Sequence, residues 1–209
     1  MSDTKENILQ TALRLFARDG YEAVSVSDIA GELGMTKGAL YRHYRSKRDI
    51  FDSIVERMYR IDAERSQEFC VPENADGSFS AGGAAAWESI RRFTAAQFVF
   101  WTEDAFARDF RRMLTLEQYR DDEMAELYRS CLAAGPVEYM TGVFGNMAAA
   151  GLLRDGGAKL LALEYCAPLF LLIQMSDRTA DRADCAALLD AHIRQFTRCH
   201  AAGAETGNL

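Results

Sequence analysis

The chain is 209 residues long, 49% hydrophobic and 26% charged, which is enough apolar surface to bury a core and excludes disorder as the main state. Its five cysteines, Cys70, Cys131, Cys166, Cys185 and Cys199, are odd in number and nowhere spaced C-x-x-C; they suggest neither a disulfide framework nor a zinc ribbon and fit a reducing, cytoplasmic compartment. The formal charge of −7 is unevenly placed, with ten Lys/Arg against nine Asp/Glu in residues 1–60 and fourteen against twenty-two in the remainder.

The amino terminus, Ser2-Asp3-Thr4-Lys5-Glu6, holds acids and no apolar run, so it does not read as a secretory signal. Asp3 or Thr4 can cap a first helix whose apolar residues Ile8, Leu9, Ala12, Leu13, Leu15 and Phe16 return every three or four positions, and Gly20 supplies its stop. Ser27 is expected to cap a short second helix, with Asp28 in its first turn, Ile29, Ala30 and Leu33 along one side and Gly34 closing it. Thr36 caps a third helix over 37–43, in which Ala39, Leu40 and Tyr44 are available to pack inward. Ser46 caps a fourth, with Asp49 completing an approximate capping box and Ile50, Phe51, Ile54, Val55 and Met58 forming the inner stripe.

The spacing of the second and third helices carries the strongest signal. A helix-turn-helix needs a small residue where the helices cross, a glycine able to take positive φ in the turn and an apolar anchor on the second helix. Ala30, Gly34 and Leu40 supply these in order. The stretch 36–48 also carries Lys37, Arg42, Arg45, Lys47 and Arg48 with His43 and no acid. A local basic patch on an acidic chain suits selective docking on a polyanion. Thr36, Lys37 and Gly38 then fall where a recognition helix meets base edges.

Residues 26–30 (Val-Ser-Asp-Ile-Ala) and 34–47 (Gly-Met-Thr-Lys-Gly-Ala-Leu-Tyr-Arg-His-Tyr-Arg-Ser-Lys) resemble the DNA-binding signature of the TetR family almost residue for residue, over about the first 55 residues. Met35 and Tyr44 stand where the family often has valine and phenylalanine. The resemblance implies that Tyr41 and His43 touch the DNA backbone and that Lys47 grips a phosphate at a helix N-terminus, a place suited to an anion. Thr36, Lys37, Ala39 and Arg42 are the candidates for reading sequence, and Ser27 and Gly38 join them at the interface. Tyr44 reads as core; Arg45 and Arg48 read equally as phosphate contacts or as solvated charges. On this view residues 1–47 form the DNA-binding domain, with the motif at 25–44, residues 48–203 a ligand-binding and dimerisation domain, and 204–209 a flexible tail.

Beyond residue 62 the signals weaken. Residues 70–84, rich in small polar residues with Pro72, read as a loop, followed by helices over 85–101, 103–117, 122–132, 136–150, 158–175 and 182–200, with Pro168 expected to kink or break the fifth of these. The longest apolar stretch, 165–173, is too short to span a membrane. Many large aromatic and methionine side chains fill this region. They are either simple core or the lining of an apolar cavity, with Trp101, Phe106, Met113, Tyr119 and Tyr139 as candidate lining. The resemblance implies a small-molecule inducer bound here. It also implies that the last two helices pair with their copies in a four-helix bundle, with Leu163, Phe170, Leu188, His192 and Phe196 as candidate contacts; burial inside one protomer is the other reading.

Two rival classes fit less well. An adaptor acting through protein contacts would tolerate erosion of the basic patch, which is intact. A helical enzyme or metal protein would have to use His192, His200 and Cys199, yet no phosphate loop, H-E-x-x-H or nucleophile motif is present. The expectation is therefore an all-α, homodimeric, ligand-responsive regulator that binds a double-stranded, palindromic operator and is released by an inducer, with no catalytic residue, metal or cofactor.

Overall fold

Two glycines that leave the right-handed region set the punctuation of the amino-terminal helices. The computed structural model describes residues 3–68, 83–154, 156–177 and 182–202, and in it Gly20 has φ +91° and Gly34 φ +63°, conformations open to glycine at little cost. Before, between and after these breaks lie α1 (Asp3–Asp19), then α2 (Val26–Glu32), then α3 (Lys37–Leu40) and α4 (Lys47–Glu68). The apolar stripe of α1 is buried along its whole length, from Ile8 to Phe16.

The cap of α2 is Ser25, not Ser27. The Ser25 hydroxyl accepts from the Asp28 amide at 3.2 Å, and the Asp28 carboxylate accepts from the Ser25 amide at 2.8 Å. Starting the helix at Val26 puts Val26, Ile29 and Ala30 on one buried face, and Ser27 is left exposed in the first turn. Gly34 closes α2, and the Met35 amide returns to the Ala30 carbonyl at 2.9 Å. Thr36 caps α3 through the Ala39 amide at 3.2 Å. The helix is shorter than its expected 37–43, because residues 41–43 continue as turns. At α4 the box is displaced by one residue: Ser46 Oγ accepts from the Asp49 amide at 3.0 Å, while the Asp49 carboxylate takes the Arg45 amide at 2.8 Å.

The remaining helices are α5 (Gly83–Glu103), α6 (Ala105–Glu117), α7 (Asp122–Leu132), α8 (Ala134–Ala149), α9 (Ala158–Ser176) and α10 (Arg182–His200). The described residues hold no strand beyond one isolated bridge between Leu153 and Ala201. Helix α5 begins at Gly83, inside the loop expected over 70–84; the rest of that loop, and the tail at 204–209, lie outside the described residues. Helix α8 starts before Pro136, and at Gly135 any Cβ would come within 1.9 Å of the Ser130 carbonyl oxygen. Only glycine allows that approach.

Packing divides the chain into two units, Met1–Ser66 with Glu103–Arg129 and Gln67–Thr102 with Ser130–Leu209. The first thus takes in α6 and most of α7, which the sequence-drawn boundary at 47/48 assigns to the body. Helix α6 explains this: Asp104 caps it through the Ala107 amide at 2.8 Å, and Phe106, Ala107, Phe110, Met113 and Leu114 are buried. Helix α1 packs along it.

In the second unit, α8, α9 and α10 pack together with α5 around a ring cluster centred on Phe144, whose centroid lies 5.5 Å from Tyr165, 5.6 Å from Phe196 and 6.1 Å from Trp87. Helix α9 runs unbroken through Pro168. Proline removes one helical hydrogen bond, but burial of Leu161, Ala162, Tyr165, Leu169, Leu172 and Ile173 holds the segment on both sides of it. At 19 residues α9 is long and apolar enough to cross a membrane by length and composition alone, a correction to the shorter apolar run read from the sequence; in the structure its buried face is core. Phe144→Ala is expected to cost about 3–5 kcal/mol, visible as a lower urea midpoint. An unchanged midpoint would show that this cluster does not hold the unit together.

Candidate nucleic-acid interface

The helix that opens at Thr36 is fixed from below and bare above. Leu40 and Tyr44 are buried beneath it. The Tyr44 hydroxyl donates to the Lys5 carbonyl at 3.2 Å. Burial pushes its phenol up to about 12, so Tyr44 is a protonated core donor. Thr36, Lys37, Gly38, Tyr41 and Arg42 are exposed, Tyr41 by 44%, and Ala39 and His43 are half-buried. No atom lies within 4 Å of where a Cβ on Gly38 would stand. The fold does not require glycine there, so a bare backbone at this point fits close approach by something outside the chain.

The five cations of the patch separate into two sets. Lys37, Arg42 and Arg45 form no ion pair among the described residues, and the Lys37 ammonium lies 5.8 Å from the Tyr41 ring centroid. Arg48 is committed: its guanidinium takes Glu123 through two bonds of 2.6 and 2.7 Å and Asp52 through one of 2.6 Å. The bond from Arg48 holds the Glu123 carboxyl below its ordinary value. Of its two readings, Arg48 thus takes that of an ion-paired surface charge, not of an open phosphate ligand.

Lys47 is half-buried, with Nζ donating to the Tyr21 carbonyl at 2.9 Å and lying 4.2 Å from the Tyr21 ring centroid. It also donates to the Glu22 carbonyl at a longer 3.5 Å, so two of its three donors point to carbonyls of the same turn. The Tyr21 ring is itself wedged edge-on between Phe16 and Phe51, at 5.1 and 5.3 Å. In the sequence Tyr21 stands out only as the end of the Leu15-Phe16 to Gly20-Tyr21 stretch that also resembles the family pattern.

Residues 8–54 match the family model described as bacterial regulatory proteins, tetR family. The chain is 43% identical over 54 residues to the HTH-type transcriptional regulator AcrR of Shigella flexneri, covering 26% of this chain and 25% of that one. It is likewise 43% identical over 56 residues to the HTH-type regulator YerO of Bacillus subtilis, covering 27% and 19%. Residues 8–54 thus carry the signature of the TetR family. Its match to these curated relatives spans a quarter or less of their length. Two solved structures extend the likeness in fold to the whole chain. SmeT, the repressor of the Stenotrophomonas maltophilia multidrug efflux pump SmeDEF, superposes with a TM-score of 0.65 at 18% identity, over 100% of this chain and 96% of that one. The fatty acid degradation regulator FadR from Bacillus halodurans gives 0.63 at 17% identity, over 94% and 96%.

The five candidate ligand residues are not brought together in the structure. Phe106 and Met113 are buried in the first unit, Phe106 beneath the Arg57 guanidinium at 4.5 Å. Tyr119 is 89% exposed in the turn after α6 and lines no interior. Trp101 is buried in the second unit beside Phe100, and Tyr139 is partly exposed there against Phe93 at 5.7 Å. The candidate dimer contacts divide as well. Leu163 and Leu188 are 53% and 56% exposed, and Leu160, Leu171 and Met175 extend that apolar surface. Phe170 and His192 are half-buried. Phe196 is only 2% exposed, because it points with Leu189 and Ile193 into the Phe144 cluster. It is a core residue first. A groove of 320 Å³ lined by Glu164, Leu188, His192, Gln195 and Cys199, with Phe196 at its base, runs between α9 and α10.

Proposed function

We propose that the protein is a cytoplasmic, homodimeric repressor that seats α3 in the major groove of a palindromic operator and leaves it when a small molecule binds. The observation that carries this reading is the exposed rim of α3, where the side chains of Lys37, Arg42 and Arg45 form no ion pair among the described residues while Leu40 and Tyr44 anchor the helix from beneath. Unpaired cations flanking bare side chains at a helix start suit phosphate clamping beside base readout. Tyr41 and His43 are assigned to the backbone, Thr36, Lys37, Ala39 and Arg42 to the groove, and Lys47 to a phosphate with the donor left over from the Tyr21 and Glu22 carbonyls. Ser27, exposed on the first turn of α2, is assigned to a phosphate of the same duplex.

Pairing of two chains follows from the exposed leucines of α9 and α10, since two heads about one DNA turn apart are needed to read a palindrome. An inducer is proposed by likeness to SmeT, which has been solved in complex with triclosan; Trp101 and Tyr139 are the candidates for contacting it. A ligand that favours a head spacing unlike that of operator DNA would release the protein by differential affinity. Selection of bound fragments from random duplex DNA tests the proposal. A consensus with two inverted halves about 10 base pairs apart, centre to centre or a multiple of it, is expected; fragments with no shared motif would refute it.

A further inference from the structure

The end of α6 holds a carboxylate that its own helix does not need. Glu117 is the last residue of α6, where a negative charge faces the negative end of the helix dipole. It is nevertheless 1% exposed. Burying a carboxylate is costly unless hydrogen bonds and a countercharge meet it, and an apolar side chain of similar size would fill the same space with less penalty. What Glu117 meets is the turn after α1. Its Oε1 accepts from the Tyr21 amide at 3.0 Å and lies 3.4 Å from Nη1 of Arg120. The same oxygen stands 2.6 Å from where a Cβ on Gly20 would be. Glycine is thus favoured at position 20 by its positive φ, and a side chain there would also have to displace the Glu117 carboxylate.

Tyr21 continues the connection. Its amide is held by α6, its carbonyl by Lys47 at the start of α4, and its ring by Phe16 of α1 and Phe51 of α4. One residue therefore joins α6 and α4 through two directional hydrogen bonds and α1 through its ring. Lys47 is among the groups assigned to DNA.

We infer that Glu117 is a positioning residue for DNA binding, its buried carboxylate locking the Gly20–Tyr21 turn so that Lys47 and the start of α4 are set in register with α3. The inference rests on the regulator reading above. A hydrogen bond to charge that leaves a buried donor unmet when lost has the size to alter binding by about 10- to 100-fold.

The test uses the full-length protein, a palindromic duplex selected by the wild type and an unrelated duplex of equal length, titrated by fluorescence anisotropy. Glu117→Leu keeps the volume and removes the acceptor; it is expected to lose about 10- to 100-fold on the palindrome while binding to the unrelated duplex, which depends on net cation placement, stays within about threefold. Glu117→Gln retains an acceptor oxygen and is expected to stay close to the wild type on both. In amide exchange, Tyr21 should lose protection in the Leu variant and keep it in the Gln variant. Should Glu117→Leu fail to fold, Glu117→Asp, which withdraws the carboxylate by one methylene, takes its place with the same expectation. Wild-type selectivity in the Leu or Asp variant, or equal losses on both duplexes matched by a fall in folded fraction, would overturn the inference alone. A wild type that binds no DNA would remove the regulator reading and this inference with it.

Discussion

Replacing Lys37 and Arg42 together by alanine is expected to weaken binding to a palindromic operator by on the order of a thousandfold at about 0.1 M salt. A dimer carries each change twice, so four cations leave the interface. If all four neutralised phosphates, the slope of log K against log salt would become shallower by about 3.6; if Lys37 and Arg42 read base edges, as assigned above, the slope changes less and the loss falls on sequence discrimination. Folding should be unaffected, because both side chains are exposed and neither forms an ion pair among the described residues. Arg48→Ala provides the contrast. Its guanidinium is already held by Glu123 and Asp52, and the salt slope should change by well under one unit per head. Titrations between 50 and 200 mM salt check both, and a double variant that stayed within about threefold of the wild type would remove α3 from the interface.

Charging the apolar surface of the last two helices should separate the protomers. Leu163→Glu with Leu188→Glu places carboxylates at positions that are more than half exposed in the single chain, so neither change opens a hole in the core. Within a dimer, each would meet an apolar partner surface and leave a charge desolvated. Sedimentation is expected to give the monomer mass. Affinity for the palindrome should then fall by about 10²- to 10⁴-fold, the loss of tethering between two heads, while binding to a single half-site is retained. A variant that stayed dimeric would move the interface off this face. Phe196 makes a poor target for the same purpose, since it stacks on Phe144 within one chain and its loss would destabilise the unit itself.

Local chemistry was readable from the residues, and distant chemistry was not. Thr36 as the cap of α3, Gly20 and Gly34 as stops, Leu40 and Tyr44 as anchors and the ends of α6, α7, α9 and α10 to within a residue or two all follow from spacing over one or two turns. Two caps were misplaced: α1 already includes Asp3 and Thr4, and Ser27 stood in for Ser25 two positions away. The S-x-x-D spacing of Ser25 and Asp28, with the need to bury Val26, decides between them. Pairings across the chain left no such trace. Arg48 meets a carboxylate 75 residues away and the Tyr21 amide one 96 residues away, so the loss of Arg48 from the open cations and the role of Glu117 emerge only with the tertiary fold. The aromatic residues show the same limit. Composition marks them as large and apolar, but only packing distinguishes Phe144, enclosed by three rings, from Tyr119, which is almost wholly in solvent.

Hydroxyl-radical footprinting of the wild type on its selected fragment tests the placement of α3 most directly. Two protected patches on one face of the duplex, their centres about 10 base pairs or a multiple of it apart, are the pattern expected from paired heads, and Lys37→Ala with Arg42→Ala should erase both together. A single continuous patch, or protection that survives the double substitution, would contradict it.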